Sequence, residues 1–265
     1  MSSEVATKPQ HAALPKPVQQ IATDRKIALD YLAQGEKLFS AYRHKFRDLA
    51  DETRFDAIDL MIKHAKTEFG GRLALDITRD MVIKLVCPNK YDGPDIREVS
   101  VGDIWRAIEA EFGGNAGIDR AKQELAIALI KHFGIAHEPP TFKKDCLVIN
   151  DSVYLDTYYT KPKLSYSSQQ AVVNLYQALI QFCELHDKTQ LAHQIKTVLA
   201  KFSSWSDHTV VVSREKFEVW DADLSYWLKV VTYASRFEYT FSPALAGIFQ
   251  QFIAEHGASY LAERQ

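Results

Sequence analysis

Apolar residues recur at three- and four-residue spacing through the first half of the chain and at alternate positions in parts of the second. Ile27, Tyr31, Leu38, Tyr42, Phe46 and Leu49 fall on one stripe of a long helix, and Phe55, Ile58, Ile62, Ala65 and Phe69 on a second. Joined near Ala50 to Thr53, the two predict an antiparallel helical hairpin. Gly70-Gly71 marks a left-handed end to the second helix. Asp76 is placed to cap a third helix over Ile77 to Val86, which Cys87-Pro88 stops. Ser100, with Asp103 three residues on, caps a helix from Val101 to Phe112, and Gly113-Gly114 breaks the chain again. The next helix, Ile118 to Phe133, is apolar through Leu125, Ala126, Ile127, Ala128, Leu129 and Ile130, so burial on most sides is expected.

After Pro139-Pro140 the pattern changes. Cys146 to Asn150 and Val153 to Tyr159 are rich in β-branched and aromatic residues around Asn150-Asp151-Ser152, which predicts a β-hairpin. Helical spacing returns with Val172, Leu175, Leu179 and Phe182, then Leu191, Ile195, Val198 and Phe202. Strands are expected at Thr209 to Val212 and Phe217 to Trp220, and over Phe237, Tyr239 and Phe241, which alternate with Glu238 and Thr240. Ser242-Pro243 supplies a cap and a first-turn proline for a last helix carrying Leu245, Ile248, Phe249, Phe252 and Ile253, closed by Gly257. The expected fold class is α+β, predominantly helical, with a central β-hairpin and a small C-terminal antiparallel sheet.

Three regions follow. Residues 1–22 are polar and proline-dotted, with too little apolar surface to offset the entropy of ordering, and are expected to form a disordered arm. Residues 23–140 form a helical region containing a helix-turn-helix unit at 101–133, and 141–265 a mixed region, either separate from the helical core or continuous with it. Glu68-Phe69-Gly70-Gly71 recurs as Glu111-Phe112-Gly113-Gly114, each followed by an aspartate at the same distance, Asp76 and Asp119. Recurrent cap chemistry explains this better than a duplicated unit, because a solenoid needs about three or more repeats.

At 265 residues and 46% hydrophobic content the chain can bury a sizeable core. Its 32 basic against 34 acidic residues exclude a global bias toward polyanions, though not a local one. Three widely spaced cysteines, Cys87, Cys146 and Cys183, fit a reducing compartment better than a disulfide framework. The N-terminal segment lacks the apolar core of a signal peptide, and no apolar run approaches the length of a spanning helix. A cytoplasmic protein without a membrane partner is expected.

Candidate chemistry is sparse. His186-Asp187 resembles the His-Asp pair that places two ligands on one metal ion, with His132 or His137 upstream and Asp207 downstream as nominal partners; a helix-end dipeptide is the commoner meaning, and neither metal nor cofactor is expected. Cys146 lacks a nucleophile signature, and Gly113, Gly114 and Gly117 lack the context of a phosphate loop. Helix 101–112, a glycine turn, helix 118–133 and hairpin 146–159 follow the element order of a winged-helix DNA reader. In that reading Arg120, Lys122 and Gln123 face bases or phosphates, and Lys143 and Lys144 flank the wing. Against it, Asp119 and Glu124 repel phosphate. A basic cluster, Arg43, His44, Lys45 and Arg47, is accounted for by a helix end. Trp205, Trp220, Trp227, Tyr233, Phe237 and Tyr239 are expected in packing rather than on a stacking platform.

Residues 104–150, IWRAIEAEFGGNAGIDRAKQELAIALIKHFGIAHEPPTFKKDCLVIN, and 229–253, KVVTYASRFEYTFSPALAGIFQQFI, resemble the uncharacterised bacterial, plasmid and phage family called domain of unknown function four-nine-four-two. The resemblance implies a setting in mobile elements and phage genomes and carries over no catalytic residue. The expected function is a non-enzymatic accessory or regulatory protein acting through an unidentified protein partner or DNA; the alternative is a metal-dependent hydrolase built on His186 and Asp187.

Overall fold

The computed structural model describes residues 13–38, 43–88, 95–96, 98–156, 163–202, 214–220, 226–233 and 235–264. Its elements run α1 (Lys16–Leu38), α2 (Arg43–Phe69), α3 (Arg79–Val86), α4 (Val101–Phe112), α5 (Asn115–His132), β1 (Thr141–Lys143), β2 (Cys146–Ser152), β3 (Leu155–Asp156), β4 (Lys163–Leu164), α6 (Tyr166–Leu185), α7 (Thr189–Phe202), β5 (Lys216–Trp220), β6 (Tyr226–Thr232), β7 (Arg236–Phe241), α8 (Pro243–His256) and α9 (Ala258–Ala262). The fold is α+β and mostly helical. Contacts divide the chain into two compact units: Met1–Gly71 with Leu75–Ile118, and Arg72–Ala74 with Asp119–Gln265.

In the first unit α1, ending at Leu38, pairs with α2, starting at Arg43, residues 39–42 lying outside the described residues; Ala50 to Thr53, where a junction was expected, lie within α2. Nothing in Ala50-Asp51-Glu52-Thr53 stops a helix, so α2 runs through. Helix α1 starts at Lys16 with Val18 fully buried, inside the stretch expected to be an arm; residues 1–12 lie outside the described residues. Of the first stripe, Ile27, Tyr31 and Leu49 are exposed, at 49%, 70% and 47%, Phe46 is half-buried with its ring against Gly35, and the Leu38 side chain and Tyr42 lie outside what the structure describes. The second stripe holds, with Ile58, Ile62, Ala65 and Phe69 buried, as are Ile104, Trp105, Ile108 and Phe112 of α4. Trp105 stacks on His64 at 5.3 Å and leans on Phe69 at 5.6 Å.

Caps follow local chemistry. Ser100 Oγ accepts from the Asp103 N–H at 3.1 Å and donates to its carboxylate at 2.6 Å, as its spacing predicts. Helix α3 is capped by Thr78, not Asp76, because the helix starts only at Arg79. Gly71 and Gly114 take φ of +62° and +61°, so the recurring Glu-Phe-Gly-Gly is twice the same left-handed helix ending. Both endings abut Gly117, where an added Cβ meets the Phe112 carbonyl oxygen at 2.5 Å and that of Phe69 at 2.8 Å.

The second unit is built on an antiparallel sheet ordered β1-β2-β7-β6-β5. The expected hairpin about Asn150-Asp151-Ser152 does not form: these residues continue β2, which pairs with β7 from Leu147↔Phe241 to Ser152↔Arg236. The hairpin turns one step earlier, at Lys144-Asp145, with φ of +51° and +63°, joining β1 to β2 without the usual glycine. Strands β3 and β4 form a separate two-stranded ladder. Strand β6 is hidden in the sequence pattern, because Trp227 and Leu228, both buried, interrupt its alternation beside the β5 irregularity at Val219/Trp220. Thr209 to Val212 lie outside the described residues. One sheet face carries Leu147, Ile149, Phe241, Tyr239, Phe237, Leu228 and Val230 into a core with Phe133, Tyr176, Phe182, Phe202 and Phe249. Helix α5 is less enclosed than its composition suggests: Leu125, Ala126, Leu129 and Ile130 are buried, whereas Ile127 and Ala128 are half-exposed. Helix α8 begins where its sequence predicts, with Ser242 Oγ accepting from the Leu245 N–H and Pro243 in the first turn.

Candidate functional site

The five residues expected to contact nucleic acid lie in the second unit on two elements. On α5, Arg120 Nε donates to Glu124 Oε1 at 3.1 Å, Lys122 Nζ lies 4.0 Å from Asp119 Oδ1, and Gln123 is exposed. Two residues of helix turn Lys122 about 200° from Arg120, so the two side chains leave nearly opposite sides of α5. Lys143 ends β1 with Nζ 4.0 Å from Glu238 Oε2, and Lys144 is exposed in the turn. Helix α4 belongs to the first unit and α5, from Asp119, to the second.

His186 and Asp187 follow α6 and part company. His186 caps the helix and packs its ring on Phe182 at 4.7 Å and Phe252 at 5.7 Å; burial pushes its imidazole below the usual range, with His256 and Lys122 adding to the effect and Glu255 opposing it. Asp187 takes φ +56° and turns its exposed carboxylate to Arg72, 2.9 Å away. Among the described residues no group of three or more His, Cys, Asp or Glu side chains is arranged to hold a metal ion. Upstream, His132 is half-buried and pushed down by burial and Lys131, His137 is exposed, and Asp207 lies outside the described residues.

The remaining sequence features are packing. Phe237 and Tyr239 are core, Trp227 is buried under Lys188, whose Nζ lies 4.6 Å from the ring centroid, and Trp220 is 41% exposed with its backbone held at both N–H and C=O by the Gln194 amide. Trp205 lies outside the described residues. Cys146 Sγ meets Tyr226 Oη at 3.0 Å, a contact that holds Tyr226 above the usual phenol range.

Two features escaped the sequence. Asp151, opposite Phe237 in the ladder, shares the inward face of β2 with Leu147 and Ile149, and burial raises its carboxyl to about 7. It lies near Tyr176 and Tyr239, which are wholly buried, and burial raises both phenols. Reading Asn150-Asp151-Ser152 as a turn hides this carboxyl, although its alternation with Leu147 and Ile149 is the available signal. The second is a groove of about 450 Å3 bounded by β1, β2, α8 and α9 and walled by Phe142, Leu147, Phe249, Ile253 and Leu261. Phe142 stands 58% exposed at its lip.

Comparison with family models, with curated proteins and with solved structures finds no match.

Proposed function

We propose that this protein is a non-enzymatic accessory or regulatory protein acting through protein contacts, and that the groove beside β1 and α8 is its contact surface. The observation that carries this is the exposed apolar lining: a large aromatic side chain at the lip of an almost wholly apolar groove marks an interaction site more often than a solvent face. The mutual pairing of Arg120 with Glu124 and of Lys143 with Glu238 favours protein over DNA as the partner.

The test is affinity purification of the tagged chain from its native host, wild type beside Phe142→Glu, with bound protein, nucleic acid and metal all identified. Phe142 is exposed, so Phe142→Glu keeps the fold. The expected result is a protein, the untagged chain included, retained by wild type and lost by the variant. Equal retention by both, or nucleic acid alone, contradicts the reading.

A further inference from the structure

A second cavity, of about 230 Å3, opens where α6 turns into α7 and meets β5, the strand at the opposite edge of the sheet from β1. It is lined by Trp220 and Trp227 and by the polar Asp187, Lys188, Thr189 and Gln190. Tryptophan is mostly buried in folded chains, yet Trp220 is 41% exposed. Its backbone is nonetheless fixed. The ladder slips register between Val219 and Trp220, an irregularity of the kind that re-aims a side chain. Gln194 then holds both main-chain groups of Trp220, Nε2 donating to its carbonyl at 2.8 Å and Oε1 accepting from its N–H at 3.0 Å. Lys188 is half-buried, with its ammonium 4.6 Å from the Trp227 ring centroid, and among the described residues no carboxylate pairs with it. The indole of Trp220 is thus held firmly in a place where packing does not use it up, beside an ammonium whose donors are unspent.

We propose that this cavity binds a single neutral sugar ring, stacked on Trp220. The site shares no lining residue with the groove beside β1 and does not rest on the protein-contact reading. A pyranose has two kinds of surface: C–H bonds on its faces, which an indole buries, and hydroxyls around its edge, which need both donors and acceptors. The lining supplies both. Asp187, anchored by Arg72 at 2.9 Å, accepts, Lys188 donates, and Thr189 and Gln190 do either. One carboxylate and one ammonium line the cavity, so an anion meets Asp187 and a cation meets Lys188, whereas a neutral polyol uses the two together. The volume lies below the about 300–1,000 Å3 of pockets for drug-sized ligands, which matches one ring. Tyr226 stands at 82° to Trp220, so these two rings do not form the parallel slot that grips a flat nucleobase.

Saturation-transfer NMR on the full chain tests this, with the methyl glycosides of glucose, galactose, mannose and N-acetylglucosamine as probes and the four common ribonucleosides as the competing class. Wild type is expected to transfer saturation to at least one glycoside. Trp220→Ala removes the platform and is expected to abolish the transfer. Asp187→Asn keeps a residue type at home at the φ of +56° found there and is expected to weaken binding about tenfold, the loss of one hydrogen bond to a charged group. This second variant decides the matter if Trp220→Ala lowers the thermal midpoint. Phe142→Glu, in the groove, is expected to leave the transfer unchanged, which separates this site from the protein-contact surface. No transfer to any of the four glycosides, transfer undiminished in Asp187→Asn or in a folded Trp220→Ala, or transfer to nucleosides alone overturns the proposal.

Discussion

Asp151 sits where a strand should present an apolar side chain, and burial lifts its carboxyl from the ordinary carboxylate range to about 7. In the unfolded chain the same group ionises near pH 4. A raised acid contributes its full stability below the unfolded value and loses it as pH rises toward the folded one. Each tenfold change in the ionisation constant is worth about 1.36 kcal/mol, so the loss amounts to no more than about 4 kcal/mol. Asp151→Asn removes the charge while keeping the shape, so it is expected to match wild type near pH 4, gain on it up to about pH 7, and hold a constant advantage above. Urea unfolding across that range checks this; parallel stability curves contradict it. The carboxyl was legible only by parity with Leu147 and Ile149, and its flanking Asn150 and Ser152 masked that parity with turn chemistry.

Elements were legible where a chemical stop coincided with the pattern. Ser100 with Asp103, Gly70-Gly71, Gly113-Gly114 and Ser242-Pro243 each commit the backbone locally, and the structure ends or begins helices there. Where only periodicity spoke, phase was lost: Ile27 and Tyr31 repeat at the right interval on the outward side of α1, because spacing alone does not say which side meets a neighbour. The β1-β2 turn was missed because Lys144 and Asp145 adopt left-handed angles that usually call for Asn-Gly. Gly117 gives a test at this scale. Its Cβ position is already filled by two backbone carbonyl oxygens, so Gly117→Ala must push apart the ends of α2 and α4, at a cost of about 1–3 kcal/mol by analogy with overpacking. Chemical denaturation measures it; a neutral substitution means that the two helix ends do not meet there. Ser242→Ala, which removes only the α8 cap, is expected to cost about 1 kcal/mol by the same measurement.

For the molecule as a whole, the near-balance of charge and the pairing of Arg120, Lys122 and Lys143 with carboxylates point away from polyanions and toward the apolar surface of the second unit. Replacing Lys143 and Lys144 by Ala is accordingly expected to change stability by no more than about 0.5 kcal/mol, as for most exposed side chains. The groove was illegible in sequence because Phe142, Leu147, Phe249 and Leu261 come from four elements and share no spacing. The claim that this groove is the working surface is tested most directly by what the tagged full chain retains from its native host, wild type beside Phe142→Glu. The account predicts that a protein retained by wild type is lost from the variant; equal retention by both, or nucleic acid alone, contradicts it.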